Sequence, residues 1–390
     1  MGDADLNKAL VTEAPRPSSH DASTWWSRRL RALRGVVAVL ALLVAPLAFE
    51  AVLLRGAVRG GDFAVDFNDT LLPAARAVAS GDSPYPAYGY PPLVAFALAP
   101  LTVVPSPDVV FTVLVALCAP AALWVLGVRD WRCFGAAFLW GAVFHGIQTA
   151  NVTLPLLLGV AFAWRYREQA RAAGISLGLG VAAKMICWPL GTWLVATRRW
   201  RATLASAAVA LIATFGLWAT LGFSGLGSYV SGVNGLQNRE ARRGYTIEGV
   251  AADLGFSAGV GQLLMLAVLI GLLILTVVFG RRGDDRRSYS SAVFACIVGS
   301  PIVWLHSFVF LLAPLALYRP RFSAWWLLPA LMALGDGTGG GAAWRRALVL
   351  GVGTALFAGC LRKDGGPGYE AEGSLRHVVR PAPATADQAA

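Results

Sequence analysis

Between Gly35 and Leu361 the chain is a succession of apolar runs, most of them about 10 to 25 residues long, parted by short linkers that carry arginine. In lipid every backbone N–H and C=O must find a partner within the protein, so runs of this kind must form helices packed together in a bilayer. The expected fold is an all-α polytopic integral membrane protein. Composition agrees, because 56% hydrophobic against 14% charged residues is outside the range of a soluble domain of 390 residues. The runs at 35–54, 108–127, 133–147, 152–164, 173–183, 185–196, 202–222, 257–279, 289–302, 304–317, 324–335 and 347–361 read as about twelve spans. Several are short, which points to broken or tilted helices around a cavity. The run 91–104, PPLVAFALAPLTVV, is bounded by proline and too short to cross upright, so it reads as a juxtamembrane or re-entrant helix.

Arginine placement gives an orientation. Arg28, Arg29, Arg31 and Arg34 precede the first span, which puts the N-terminus in the cytoplasm and the following loop outside. Most later clusters, such as Arg165/Arg167/Arg171, Arg198/Arg199/Arg201 and Arg281/Arg282/Arg286/Arg287, then fall inside as well, whereas Arg55/Arg59 and Arg345/Arg346 fall outside. Both termini are expected in the cytoplasm of a cell-membrane protein, with the site on the external face. Residues 1–24 and 363–390 lack apolar periodicity and read as disordered cytoplasmic tails. They flank one transmembrane domain, 25–362, with a catalytic loop at 55–107 and a second external loop at 223–256. The first apolar run is long enough to remain as a spanning helix, so no cleaved leader is expected. The net charge of +11 lies in scattered clusters without a contiguous basic face, which argues against nucleic acid. Five cysteines at irregular spacing read as small buried hydrophobes, and no metal or cofactor is expected.

The chemistry points to the segment 61–92, GDFAVDFNDTLLPAARAVASGDSPYPAYGYPP, which holds Asp62, Asp66, Asp69 and Asp82 beside the first span. Asp62 and Asp82 follow glycine, as carboxylates that support turns do. Asp66 and Asp69 share a face if the segment to Ala79 is helical. The assumed topology gathers other polar residues on the same side: His145, Gln148, Asn151, Lys184, Trp304 and His306. A lysine within an apolar stretch costs about 2.5 to 3.5 kcal/mol on insertion scales, so Lys184 either binds an anion such as a lipid phosphate or snorkels to the interface. His306 is either a helix-packing hydrogen bonder or a site residue.

Residues from Asp66-Phe67 through Ala74-Ala75-Arg76, Gly81, Ser83-Pro84-Tyr85-Pro86 and Tyr90-Pro91-Pro92 resemble the first motif of glycosyltransferase family 87, membrane enzymes of the GT-C class. Gly146-Ile147-Gln148 with Asn151 resembles the family's GQ-x-N element at a looser spacing. Ala173-Gly174 through Lys184 and Ser300-Pro301-Ile302-Val303-Trp304-Leu305-His306 resemble two further elements. Ser307 replaces the second His of the family's SPISW-x-HH motif, and Val303 replaces the Ser before Trp304. The best-known members are actinobacterial α-mannosyltransferases of glycolipid and lipoglycan assembly, and the Ala/Gly/Arg-rich, Lys-poor usage is that of a high-GC bacterium.

The resemblance implies inverting transfer of a sugar, mannose first, from a polyprenyl-phosphate donor to a glycolipid or lipoglycan acceptor, with membrane lipids as the surroundings. It implies Asp66 as general base and Lys184 and His306 as donor-phosphate partners. Asp69, Gln148, Asn151, Tyr85, Tyr90 and Trp304 would position substrate, with an aromatic belt as the other reading of the tyrosines. Arg239, Arg242 and Arg243 are candidates for an anionic acceptor, against a plain solvated loop. Two other readings of the same features are a transporter or flippase of a polyprenyl-linked sugar, and the same fold transferring arabinose.

Overall fold

A computed structural model of the chain describes residues 19–241, 243–300, 302–335 and 342–362, and all regular structure among them is helical. Five helices are long and apolar enough to cross a membrane: Ala32–Gly60, Pro107–Val125, Trp200–Thr220, Ala258–Arg281 and Ala343–Leu361. Each coincides with an expected span. Five other expected spans are the shorter apolar helices Thr153–Arg165, Ala170–Ala183, Met185–Ala196, Leu305–Tyr318 and Ala324–Gly335. The run expected at 133–147 is broken into Trp131–Phe138 and Gly141–Gln148, and that at 289–302 is the helix Asp285–Val298. Fourteen helical residues reach about 21 Å against a hydrocarbon core of about 30 Å, so length alone does not supply twelve full crossings.

The first helix starts at Ser19, within the stretch read as a tail; residues 1–18 and 363–390 lie outside the described residues. Its middle relaxes into a π-helical turn, Leu40–Val44, just before Pro46. A proline there removes an N–H from the helical ladder, which a widened turn accommodates. Gly135 backs onto this turn, where a Cβ would collide with the Leu42 carbonyl.

Two short helical segments are innermost and the long helices lie outside. Every residue from Ser288 to Ile297 is buried, as are Leu305 to Leu317. A helix apolar or small on all sides belongs at the centre of a bundle. The long helices instead present bulky side chains outward, with Leu204 69%, Ile212 71% and Leu263 67% exposed, as lipid-facing helices do.

One end of this core is tied by Asp285. Its carboxylate accepts from Trp193 Nε1 (2.6 Å), Arg167 Nε (2.9 Å), Arg199 Nη1 (2.9 Å) and Arg199 Nη2 (2.8 Å). Arg167 follows the helix Thr153–Arg165 and precedes Ala170–Ala183, while Arg199 follows Pro189–Ala196 and precedes Trp200–Leu211. Because both arginines hold the same carboxylate, Ala170–Ala183 and Pro189–Ala196 form a hairpin whose tip, one helix length away, is Lys184. Small residues let this hairpin close on Trp200–Leu211: a Cβ on Gly174 would lie 2.9 Å from the Ala202 carbonyl oxygen, and one on Gly178 2.6 Å from that of Ser206. This G-x-x-x-G spacing is a packing device of membrane helices.

Candidate active site

At the opposite end of these helices a cavity of about 680 Å³ opens, lined by residues remote in sequence. Asp66, Asn151, Lys184 and His306 reach it from four separate segments, and Tyr90, Trp304 and Arg239 complete the set of expected residues on its wall.

Asp66 is placed by backbone pairing. The Ala64 N–H donates to the Gln148 carbonyl (2.7 Å), and the Asp66 N–H to that of Thr149 (3.1 Å). Phe67, fully buried, stacks on Phe111 with ring centroids 4.9 Å apart and anchors the π-helical turn Phe67–Leu71. The partner segment is the C-terminus of Gly141–Gln148, where Asn151 N–H donates to the Gly146 carbonyl (2.9 Å) and Ala150 N–H to that of Ile147 (3.1 Å). That is the hydrogen-bond pattern of a Schellman cap, and it puts Ala150 at φ +51°, where glycine is the usual occupant. Ala64 has φ +53°. Backbone held in sparsely populated conformations on both sides of one contact is typical of sites that hold a fixed geometry.

The contact itself is a hydrogen bond from Asn151 Nδ2 to Asp66 Oδ2 at 2.6 Å. Asn151 cannot turn over, because its Oδ1 accepts from the Thr153 N–H (2.9 Å) and the Thr153 hydroxyl (2.6 Å). Tyr90 lies against the same pair. Burial first, and the Asp66 charge second, push its hydroxyl above the usual tyrosine range, so it stays protonated and available as a donor.

Lys184 leaves the end of Ala170–Ala183 in extended backbone and sets its Nζ 5.5 Å from the centroid of the Tyr90 ring. The ammonium therefore faces the cavity, within reach of Tyr90's π-face. His306 is 2% exposed, and its Nδ1 stands 3.3 Å from Nδ1 of His145. The Nε2 of His306 has no hydrogen-bond partner among the described residues. Two cationic side chains, a histidine and one carboxylate thus share a concave site, the arrangement in which an anionic group and a proton acceptor are both served.

Other expected residues stand elsewhere. Asp69 is exposed and off the cavity, and Thr70 takes its place on the wall, because the turn is π-helical and the i, i+3 reasoning assumed a regular helix. Gln148 contributes its backbone carbonyl, and its side chain is not on the wall. Tyr85 stacks on Trp218 (5.6 Å between centroids), meets Tyr229 edge-on (5.7 Å) and donates its hydroxyl to the Tyr90 carbonyl (3.0 Å), so it braces the loop from behind. Arg243 is exposed and lies 3.8 Å from Glu240, while Arg242 lies outside the described residues. The expected loop 223–256 contains two helices, Leu226–Glu240 and Ile247–Asp253. Ser228, Gly232, Gly235 and Arg239 of the first face the cavity at i, i+4, i+7 and i+11, a helical period readable in the sequence but masked by its Gly/Ser/Asn content.

The family model for glycosyltransferase family 87 matches residues 88–307, more than half of the chain. The chain belongs to glycosyltransferase family 87. No curated relative and no solved structure matches it. Membership of family 87 makes this a glycosyltransferase, which requires a sugar donor and an acceptor. The matched region holds Tyr90, Asn151, Lys184, Arg239, Trp304 and His306. Asp66 lies before it, so its place in this family 87 enzyme rests on the hydrogen bond to Asn151 and on the shared cavity.

Proposed function

We propose that the cavity transfers mannose from a polyprenyl-phosphate donor to a hydroxyl of a glycolipid or lipoglycan on the external face of the membrane, with inversion at the anomeric carbon. The observation that carries this reading is the 2.6 Å bond from Asn151 to one oxygen of Asp66, in a cavity that also contains Lys184 and His306. Asn151 orients the carboxylate through Oδ2 and leaves Oδ1 for the acceptor O–H. As the acceptor oxygen bonds to the anomeric carbon, its proton passes to Asp66, and the bond from that carbon to the phosphate oxygen breaks. The lipid phosphate departs with the electron pair, and Lys184 and His306 stabilise its charge. A phosphate is already a good leaving group, so the enzyme's work is positioning and charge stabilisation.

The lipid tail has a course available to it. A second groove, about 410 Å³, runs along Leu177, Val181, Trp188 and Val195 on the two arms of the hairpin whose tip is Lys184. Arg239, at the cavity's other wall, supports an acceptor that carries negative charge.

The test is incubation of the purified protein with a glycolipid extract and, in parallel, polyprenyl-phosphate mannose or polyprenyl-phosphate arabinose, in detergent and in reconstituted vesicles, read by mass spectrometry. A hexose increment on the acceptor is expected, with the donor KM raised at least tenfold in Lys184→Ala. A pentose increment from the arabinose donor in place of hexose, or lipid movement across vesicles without covalent product, would contradict the proposal.

A further inference from the structure

The transfer just described gives no task to His145, whose ring meets that of the cavity residue His306. His145 sits on Gly141–Gln148, three residues before the end of the helix, and its ring faces His306, 161 residues away in sequence. The two Nδ1 atoms are 3.3 Å apart, and the rings are inclined by 36° with centroids 5.3 Å apart. Two facing ring nitrogens at this distance hold one proton between them, so one ring donates and the other accepts. The approach is built into the backbone. Gly146, the next residue, has no Cβ; one placed there would collide with Leu154 Cδ1 and lie 3.5 Å from the His306 Cβ. The helix and the turn Leu305–Leu311 therefore meet closely where the two imidazoles pair.

The structure assigns His145 as a positioning residue that sets the tautomer of His306: we infer that its Nδ1–H donates to Nδ1 of His306 and thereby leaves the proton of His306 on Nε2. The inference rests on the proposed transfer for its consequence. With the proton on Nε2, a neutral His306 offers an N–H to the departing phosphate beside Lys184. With the proton on Nδ1 it would offer a lone pair to an anion, which repels. Fixing a tautomer through the far ring nitrogen is the general means by which an imidazole is committed to one role. Ser307, buried next to His306, has a hydroxyl without a hydrogen-bond partner among the described residues and does not supply this donor.

Three substitutions separate this role from simple packing. The amide nitrogen of Asn superimposes on the Nδ1 of His, whereas that of Gln reaches the position of Nε2. His145→Phe keeps the ring and removes the donor, and is expected to lower kcat/KM for transfer at least tenfold. His145→Asn is expected to stay within threefold of the native enzyme, and His145→Gln to behave like His145→Phe. In a His306→Ala background, His145→Phe is expected to cost less than a further twofold, since it acts through a ring no longer present. Nitrogen-15 spectra of histidine-labelled protein read the tautomer directly, with assignment by single substitution of the four histidines. They should show His306 protonated at Nε2 in the native chain and in His145→Asn, and a tautomer mixture in His145→Phe.

A fully active His145→Phe, additive losses in the double variant, or His306 protonated at Nδ1 in the native chain would each overturn the inference. The spectra do not depend on turnover, so absence of transfer in the native enzyme would defeat the proposed function while the tautomer still decides this point.

Discussion

Both ends of the Asn151 amide are committed, one to Thr153 and one to Asp66, and that is what turns a carboxylate near a cavity into an oriented one. A hydrogen bond to a charged group contributes about 1.5 to 3 kcal/mol. Asn151→Ala is therefore expected to lower kcat by roughly 10- to 100-fold, at about 1.4 kcal/mol per decade, with donor KM changed less than threefold. Steady-state transfer at varied donor concentration checks this, and an unchanged kcat would deny Asn151 its orienting role. At this scale much of the site was legible. Lys184 and His306 are polar exceptions in apolar runs, and such exceptions are costly enough to have reasons, whereas Asp66 and Asn151 stand out through the resemblance to the family's motifs. Asp69 was misread because a π-helical turn shifts which side chain shares Asp66's face, and no residue type announces such a turn. His145 was not assigned a role because its partner lies in another segment, and proximity of that kind has no local signature.

Among the elements, the short helices matter most. Thr153–Arg165, Ala170–Ala183 and Asp285–Val298 each run from the Asp285 cluster to the cavity, about 20 Å away at 1.5 Å per residue. Asp285 accepts four hydrogen bonds and, together with Glu168 on Arg199, balances the charges of Arg167 and Arg199, which sets where these helices start or end. Breaking a fully buried ion pair costs about 3 to 5 kcal/mol; here Asp285 is 24% and Arg199 16% exposed, so a smaller cost is expected. Asp285→Asn should destabilise by about 2 kcal/mol and lower the melting temperature in detergent by roughly 2 to 3 °C. A shift under 1 °C would show the cluster to be incidental. The helices themselves follow closely from the apolar runs. Their lengths and breaks do not, since the sequence shows where apolarity begins and ends but not which linker arginines share a carboxylate. The helix Leu226–Glu240 was read as loop because Gly, Ser and Asn are weak helix formers. Their small size suits a helix laid against an open cavity.

For the molecule as a whole, lipid-facing helices enclose a core with an ion-pair cluster at one end and a cavity at the other. The cavity draws its residues from the loop after the first span, two helix ends, a hairpin tip and a turn, so it exists only when the bundle is assembled. Asp66 lies outside the family match, which begins at Tyr88, yet geometry brings it to the matched residues. The most direct measurement is transfer by Asp66→Asn against the native enzyme, with donor affinity determined in parallel. The amide keeps the shape and cannot take a proton, and general-base catalysis contributes about 10²- to 10⁴-fold. Transfer should fall by about 10³-fold with donor affinity nearly unchanged. Transfer within tenfold of the native rate, or inactivity in Asp69→Asn with Asp66→Asn still active, would contradict the account.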